Sequence, residues 1–306
     1  GEVLLDLALK DPKVVGVTPA MAQGCGMNLL AEKKSDQFFD VGIEEEHAVT
    51  FSAGLAAGGM KPFCNIYSAF SQRAYDEIIH DVALQKLPVV LCFDRAGLVG
   101  EDGATHHGAF DIAAYRSIPN TIISSPKDET ELKLLMYTAY KHSSGPFIIR
   151  YPRGMGRGAD WRHTEYTTLE VGKAETLCEG SRIAVIGSGP SVSVALDAAR
   201  EIGPEVGVYN FRFIKPLDEA LLKEIASRYE YIVTVEDGCL KGGLYGAACE
   251  FVNDRELGCK VRGIGIPDRF IKQAKQKEQL HECGLDKDGI IAFLQKILLK
   301  SLHNDK

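Results

Sequence analysis

A group of ionisable residues lies between positions 94 and 108, directly after an apolar run. Arg95, Asp102, His106 and His107 fall within it, interleaved with four glycines, which let a backbone approach a ligand closely. So charged a loop is a poor core segment, and binding residues are often carried on loops above a rigid sheet. The stretch predicts a substrate pocket. A metal site is the weaker interpretation, because two adjacent histidines lack an obvious third ligand.

Two arginines, Arg150 and Arg153, flank Pro152 after the last apolar run of the first half of the chain. Guanidinium groups bind phosphate or carboxylate through paired hydrogen bonds. The pair therefore suits an anionic substrate. The alternative, which the sequence leaves open, is two arginines solvated at the surface.

Two further clusters occur where helices are expected to begin. Glu45 lies in a run of three glutamates before His47, and acids at a helix N-terminus are stabilised by the helix dipole. The alternative is a carboxylate directed into a crevice, where it shares a proton with a ligand nitrogen. Tyr67, Phe70 and Arg73 form an aromatic and basic cluster, which either stacks on a heteroaromatic ring or packs in the core.

These residues follow short apolar runs typical of strands buried on both faces of a parallel sheet. Helical patterns separate the runs, so the sequence predicts an α/β fold, in which ligands bind beyond the carboxyl ends of the strands. The strand-like runs of the first half are 14–17, 38–43, 62–67, 89–93, 121–123 and 147–149, and the helical patterns span 47–57, 72–85 and 128–140.

The alternation lapses between residue 155 and about residue 180 and then resumes. The later strand-like runs are 183–186, 206–213, 231–235 and 261–264, and a last helix begins at Asp286 or Asp288. We therefore predict two consecutive three-layer α/β domains with mostly parallel sheets, at 1–160 and 181–306, with a linker at 161–180. A turn at 187–192 is a weak match to a dinucleotide loop because its third glycine is missing, and no nicotinamide cofactor is predicted.

The composition excludes several classes of protein. Hydrophobic residues make up 45% of the 306 positions, too many for an intrinsically disordered chain. A formal net charge of −7 without a long basic run argues against a nucleic-acid surface, and no apolar stretch reaches the roughly 18–20 residues of a membrane span. The eight cysteines include no Cys-x-x-Cys pair, so we expect reduced thiols in a cytoplasmic protein.

Several segments together resemble the 1-deoxy-D-xylulose-5-phosphate synthases, which are thiamine-diphosphate enzymes of the transketolase superfamily. The resemblance runs in order and nearly without gaps along the chain, which makes it more specific than any single motif. It implies a pyrimidine-binding domain followed by a transketolase C-terminal domain. The matching segments are 18–21, 40–47, 66–76, 80–88, 94–97, 102–106, 150–154 and 212–218.

The resemblance implies a cofactor site in the first domain. Glu45 would bond the aminopyrimidine N1′ of thiamine diphosphate and so promote deprotonation of the thiazolium, as a positioned carboxylate can. Phe70 would stack on the pyrimidine ring, with Arg73 nearby. The family commonly has Ala-Glu-Gln-His where this chain has Glu44 to His47. The register still selects Glu45, and the extra charge beside it would perturb its pKa.

The resemblance also implies the substrates pyruvate and D-glyceraldehyde 3-phosphate, condensed to 1-deoxy-D-xylulose 5-phosphate and CO2 for isoprenoid, thiamine and pyridoxal biosynthesis. Arg95 and Arg153 would hold the phosphate of the aldehyde acceptor, with Tyr67 alongside. Asp102 and His106 would line the substrate pocket and hydrogen-bond substrate oxygens, His106 counting as a catalytic residue beside the glutamate. His107 receives no role.

The resemblance covers only the second and third domains of that family. The first domain normally holds Mg²⁺ and the diphosphate on a Gly-Asp-Gly motif, and this motif does not occur here. Because the chain also lacks an initiator methionine, we expect the C-terminal half of an enzyme roughly twice its length, inactive when isolated. Its partners would be the N-terminal half and a second copy in a homodimer, and its last domain would serve dimer contact and frame the site.

Two other interpretations compete with this one. The β subunit of a 2-oxoacid dehydrogenase has about this length, and a non-catalytic transketolase-like module would also lack the diphosphate site. The segments Asp94 to Gly97 and Thr105-His106 favour the synthase. A scaffold, moreover, has no physical need for all the candidate site residues at once.

Overall fold

The computed structural model describes the backbone of residues 1–304 and the side chains of residues 1–300. The strands within that range are β1 (Val14–Thr18), β2 (Phe38–Asp40), β3 (Lys61–Tyr67), β4 (Val90–Ala96), β5 (Ile122–Ser124), β6 (Phe147–Pro152), β7 (Glu175–Cys178), β8 (Ile183–Gly187), β9 (Val206–Asn210), β10 (Phe213–Lys215), β11 (Tyr231–Cys239) and β12 (Lys260–Ile266). The α-helices are α1 (Glu2–Lys10), α2 (Asn28–Lys33), α3 (Glu45–Ala57), α4 (Tyr75–Glu77), α5 (Asp111–Tyr115), α6 (Glu129–Lys141), α7 (Ser191–Ile202), α8 (Glu219–Arg228), α9 (Leu244–Asp254), α10 (Gln276–Glu282) and α11 (Lys287–Asn304).

A seven-stranded sheet in the order β10-β5-β6-β4-β3-β1-β2 is the centre of what we call the first α/β unit. Neighbouring strands are parallel except β10 and β5. Helix α3 packs on one face of the sheet, and α1 and α6 pack on the other. Covering both faces buries the central strands completely, which explains their near-continuous apolar sequences.

A five-stranded sheet in the order β12-β11-β8-β9-β7 is the centre of the second α/β unit. Its strands are parallel except β7, which runs antiparallel to β9. Helices α7 and α11 cover one face, and α8 and α9 cover the other. The predicted fold class, two three-layer α/β assemblies with mostly parallel sheets, is therefore confirmed. The division of the chain at residues 160 and 180 stays a prediction.

Several elements differ locally from the sequence-based expectation. The predicted strand 206–213 ends at Asn210, and the chain then crosses to the edge of the first sheet as β10. The helical pattern at 72–85 is broken into a 3₁₀ turn, the short α4 and a π-helical turn at Ile78–Ala83. Strand β7 lies within the predicted linker. The predicted strand 38–43 stops at Asp40, because Gly42 turns the chain with a φ of 78°.

Other boundaries follow the capping chemistry. The carboxylate of Asp128 accepts a hydrogen bond from the backbone N–H of Glu131 at 2.8 Å, so α6 begins where the acidic residues indicated. Asp286, and not Asp288, caps the last helix by accepting from the N–H of Gly289 at 2.9 Å. In the part of the chain that the structure describes, the helices are too short or too polar to cross a membrane.

A buried ion network joins the two α/β units. Arg150, in the interior of β6 and only 1% exposed, donates from Nε to Asp111 at 2.8 Å and from Nη1 to Asp237 of the second unit. The other groups nearby are polar as well, since Ser125 lies 3.3 Å from Nη1 of Arg150 and Ser68 donates to Asp111 at 2.9 Å. A buried charge is tolerated only when such partners surround it.

We predict that Asp237→Ala lowers the free energy of unfolding by about 3 kcal/mol, because it leaves Arg150 with half of its charge compensation in a buried site. The matched control is Asp268→Ala, which removes an exposed carboxylate paired with Lys241 and should cost less than about 1 kcal/mol. Urea unfolding followed by circular dichroism measures both. Equal costs for the two variants would contradict the role given to the buried network.

Candidate active site

The predicted site residues meet at the carboxyl ends of the strands of the first sheet. Glu45 begins α3 just after β2, Tyr67 ends β3, and Arg95 lies near the end of β4. Arg153 follows β6 directly. The remaining candidates lie on the connections after β3 and β4. Parallel strands that end at one edge thus bring together residues that are more than 100 positions apart in the sequence.

Glu45 is buried, with only 4% of its surface exposed. The preceding residue of the three-glutamate run, Glu44, is exposed. Nη1 of Arg73 donates to Oε1 of Glu45 at 2.9 Å. The same guanidinium lies 5.0 Å from the ring centre of Phe70, within the range of a cation–π contact. A carboxylate, a cation and an aromatic face are therefore held together in the structure.

An aromatic cluster continues from Phe70 toward the loop after β4. The ring of Tyr67 stacks on Phe70 at 5.6 Å between centres, and His106 meets Phe70 edge-on at 5.2 Å. The hydroxyl of Thr105 lies 2.8 Å from Nδ1 of His106. Burial raises the pKa of the Tyr67 phenol despite the nearby Arg95, so Tyr67 stays a neutral hydrogen-bond donor at neutral pH.

Arg95, Asp102 and Arg153 form a charged cradle at the far end of this cluster. Oδ2 of Asp102 accepts from Nη1 of Arg95 at 3.1 Å and from Nη1 of Arg153 at 2.6 Å. Arg95 also lies over the Tyr67 ring, 4.1 Å from its centre. Between 21% and 40% of each of the three charged side chains is exposed, so a solvent-borne anion can reach both guanidinium groups.

The backbone at Arg95 is strained. Its φ is 60°, a left-handed conformation that costs a side-chain-bearing residue roughly 1–2 kcal/mol and is concentrated at functional sites. Gly108 closes the opposite side of the turn, where a Cβ atom would stand 2.5 Å from the carbonyl oxygen of Arg95. Only glycine fits there, which explains one of the glycines that the sequence places in this loop.

Asp94 is a charged residue of this site that the sequence reasoning did not single out. Its side chain is buried at the end of β4, and burial raises the pKa of its carboxyl to about 6, against the opposing effect of Arg95. Position in the charged loop was the available signal, but only the structure shows that Asp94 points inward while Arg95 points to the cradle.

Arg150 does not belong to the site. The sequence offered two interpretations for it, an anion-binding pair with Arg153 or an arginine solvated at the surface, but Arg150 is enclosed by Asp111 and Asp237 in the network between the units. The two arginines are three positions apart, one inside the strand and one beyond its end. Of these two arginines, Arg153 is the one whose guanidinium group is exposed to a ligand. Among the described residues, no group of three or more His, Cys, Asp or Glu side chains could hold a metal ion.

Two glutamines of the second unit reach the loop that carries Asp102, and no sequence signal pointed to them. Nε2 of Gln276 donates to the carbonyl oxygens of Leu98 and Arg153, at 2.6 and 3.1 Å. Gln279 bonds the backbone of Gly100 through both ends of its amide. These residues are almost 180 positions from the loop, so their contact depends on how the two units dock.

Family models match the chain in two consecutive segments. Residues 1–158 match the model described as "Transketolase, pyrimidine binding domain". Residues 172–290 match "Transketolase, C-terminal domain".

Curated relatives match the chain along nearly all of its length. A protein of Phocaeicola vulgatus named 1-deoxy-D-xylulose-5-phosphate synthase is 53% identical over 298 residues, which are 96% of this chain and 47% of that protein. A protein of the same name from Bacteroides fragilis is 51% identical, over 98% of this chain and 47% of that protein. The chain thus spans about half the length of the curated relatives that it matches.

Solved structures share the fold. One, titled "Split gene transketolase, inactive beta4 tetramer", superposes with a TM-score of 0.85 at 26% identity and covers 96% of this chain and 95% of that one. A transketolase of Campylobacter jejuni superposes with a TM-score of 0.75 at 19% identity, over 96% of this chain and 45% of that one.

We predict that Asp94→Asn changes stability in a pH-dependent way. A folded-state pKa of about 6, above the ordinary 3.8, means that neutral Asp94 stabilises the fold below about pH 4. That contribution, about 3 kcal/mol, is lost as the pH rises through 6. Asp94→Asn should therefore unfold with a free energy about 1–3 kcal/mol higher at pH 8 and unchanged at pH 4.

Urea unfolding at four pH values between 4 and 8 measures this difference. The control is the exposed Asp160→Asn, whose curve should follow that of the unmodified chain. An effect of Asp94→Asn that is the same at every pH would show that ionisation of Asp94 is not its cause.

Proposed function

Because this chain belongs to the transketolase family, we propose that it is one half of a thiamine-diphosphate-dependent synthase that joins pyruvate to D-glyceraldehyde 3-phosphate. The matching sequence segments indicated the same family. The names of relatives at about 50% identity support the proposal. The observation that carries it is the continuous chain of contacts from buried Glu45, through Phe70, to the cradle of Arg95, Asp102 and Arg153.

The residues at the Glu45 end fit the pyrimidine part of thiamine diphosphate. A buried carboxylate at a helix start suits a ring nitrogen that carries a proton, and the face of Phe70 suits stacking on a heteroaromatic ring. When bound, thiamine diphosphate supplies the carbon that adds to pyruvate and the electron sink that makes loss of CO2 possible. Glu45 would hold the proton at the pyrimidine nitrogen, and Arg73 would fix the orientation of the carboxylate.

The residues at the other end fit an acceptor with a phosphate group. Arg95 and Arg153 present guanidinium donors that match phosphate oxygens. His106 and Tyr67 stand between these arginines and the cofactor end, where their ring N–H and hydroxyl would bind the substrate oxygens. Asp102 would keep the two guanidinium groups at a fixed separation. The pyrimidine ring of the cofactor and the phosphate of the acceptor would thus lie at opposite ends of one aromatic wall.

The proposal assigns the rest of the chemistry to other parts of the enzyme. Mg²⁺ and the diphosphate would be held by an N-terminal half, which the curated relatives have in addition to the part that this chain matches. We further propose that the assembled enzyme is a cytoplasmic homodimer.

Product formation in a full-length chimera tests the proposal. The chimera joins the N-terminal half of the Phocaeicola vulgatus relative to this chain, and 1-deoxy-D-xylulose 5-phosphate is measured with pyruvate, D-glyceraldehyde 3-phosphate, thiamine diphosphate and Mg²⁺. We expect turnover by the chimera and none by this chain alone. A folded chimera without product would contradict the synthase and favour a non-catalytic module. Product from 2-oxoacids but not from the aldehyde would favour a dehydrogenase subunit.

We predict that Glu45→Gln lowers kcat of the chimera by about 100-fold to 10,000-fold, the usual contribution of a positioned acid or base. The matched control is Glu44→Gln, which removes the same charge from the neighbouring, exposed residue. This variant should change kcat less than about threefold. Circular dichroism verifies that both variants fold. Turnover that survives in Glu45→Gln would show that the proton is handled elsewhere.

We predict that Arg153→Met raises the KM for D-glyceraldehyde 3-phosphate by about 10-fold to 100-fold, because a hydrogen bond to a charged group contributes about 1.5–3 kcal/mol. The KM for pyruvate should change little. The control is Arg157→Met, which removes an arginine paired with Asp197 at the surface. With D-glyceraldehyde, which has no phosphate, the variant and the unmodified chimera should differ less than about threefold. A similar loss with both acceptors would contradict phosphate binding by Arg153.

A further inference from the structure

The loop of residues 97–108 carries two of the proposed acceptor-binding residues, Asp102 and His106, and its regular structure is limited to one 3₁₀ turn at Gly100–Asp102. Its neck is closed by two backbone hydrogen bonds between Gly97 and Gly108, at 2.8 and 2.9 Å. Leu98 packs into the apolar core of the second α/β unit. The loop therefore depends on the second unit for its shape.

The side chain of Gln279, in α10, forms hydrogen bonds with both the N–H and the carbonyl oxygen of Gly100. Oε1 of Gln279 accepts from the N–H of Gly100 at 2.9 Å, and its Nε2 donates to the carbonyl oxygen of Gly100 at 3.0 Å. Nε2 also donates to the carbonyl oxygen of Lys272 at 2.9 Å. The Gln279 side chain is completely buried. Only an amide offers a donor and an acceptor together in this geometry, so neither Glu nor Met replaces it.

His107 forms a hydrogen bond with Val99, the residue before Gly100 in the same loop. Nδ1 of His107 accepts from the N–H of Val99, and its Nε2 lies at the carbonyl oxygen of Ile271 in the second unit, both at 3.2 Å. Because an N–H must donate and a carbonyl must accept, the ring is neutral with its proton on Nε2. Burial lowers the pKa of His107, in agreement with the neutral ring.

The anchored segment is directly next to the charged cradle. Gly100 precedes Asp102 by two residues, and the carbonyl oxygen of Val99 accepts a hydrogen bond from Nη1 of Arg153 at 3.0 Å. A displacement of the backbone at residues 99–100 would therefore move Asp102 and Arg153 together. Displacements of about 1 Å in such a constellation are enough to impair substrate positioning.

We propose that Gln279 and His107 are positioning residues for the acceptor, through which the second α/β unit sets the affinity of the site for the phosphorylated aldehyde. This inference rests on the proposed function. Neither residue would touch the ligand. They act by holding loop 97–108 so that Asp102 and His106 face the site.

A purely structural role for Gln279 makes a different prediction. If the glutamine only stabilised packing between the units, its loss would lower the melting temperature and the fraction of active enzyme. The apparent kcat would then fall while both KM values stayed constant. A positioning role instead raises the KM for one substrate selectively.

The test compares Gln279→Met with Gln295→Met, an exposed glutamine of α11, in the full-length chimera. We expect Gln279→Met to raise the KM for D-glyceraldehyde 3-phosphate about 10-fold, with the KM for pyruvate changed less than twofold. Hydrogen–deuterium exchange of the peptide that spans residues 97–108 should become at least 10-fold faster in Gln279→Met. His107→Leu should produce the same selective change, and Gln295→Met neither effect.

The outcomes separate this inference from the proposed function. An unmodified chimera that is active, with an acceptor KM that stays within twofold in Gln279→Met, would overturn the inference alone. Equal increases in both KM values would also overturn it, since they indicate general damage to the site. An unmodified chimera that makes no product would overturn the proposed function, and the inference with it.

Discussion

Arg150 carries a positive charge into the interior of the molecule, where carboxylates from two different units must balance it. Such a group leaves few alternative arrangements, because sliding one unit against the other would separate Arg150 from Asp237 and leave both charges desolvated. Apolar contacts of equal area tolerate small shifts far better, since they lack direction. The network therefore specifies how the units dock. Asp111 extends it to the turn after β3, through its hydrogen bond from Ser68.

The docking geometry reaches the proposed site along two routes. Strand β6 holds Arg150 in its interior and delivers Arg153 beyond its end, so the position of the second arginine follows from the burial of the first. The other route is loop 97–108. A Cβ atom at Gly97 would stand 3.0 Å from the Asp237 carboxylate and from its carbonyl oxygen, so the start of the loop lies against the same residue that pairs with Arg150. The buried network and the charged cradle are thus connected through β6 and through loop 97–108.

The parts of this arrangement that the sequence predicts are those that depend on local pattern. Apolar runs identify the central strands because both faces of each sheet are covered, and a common strand edge then groups Glu45, Arg95 and Arg153 correctly. Contacts between the units produce no such local pattern in the sequence. Arg150 and Arg153 have the same chemistry and nearly the same position, and the carboxylates that surround the buried one come from distant parts of the chain, Asp111 and Asp237. The pairing of β10 with the first sheet and the hydrogen bonds from Gln279 to the loop also depend on how the units dock.

Asp102 shows why accurate docking matters for the chemistry proposed here. Two guanidinium groups repel each other, and one carboxylate between them removes most of that repulsion while leaving a net positive charge to attract an anion. The balance depends on distance: a loop that moved Asp102 inward would neutralise the arginines, and a loop that moved it outward would let them separate. A phosphate monoester carries between one and two negative charges at neutral pH, so it suits a cradle whose charge is positive but partly compensated. In the proposed function, the affinity for such a ligand would depend on the backbone that holds the carboxylate between the arginines as well as on the arginines themselves, and that backbone is anchored by the second unit.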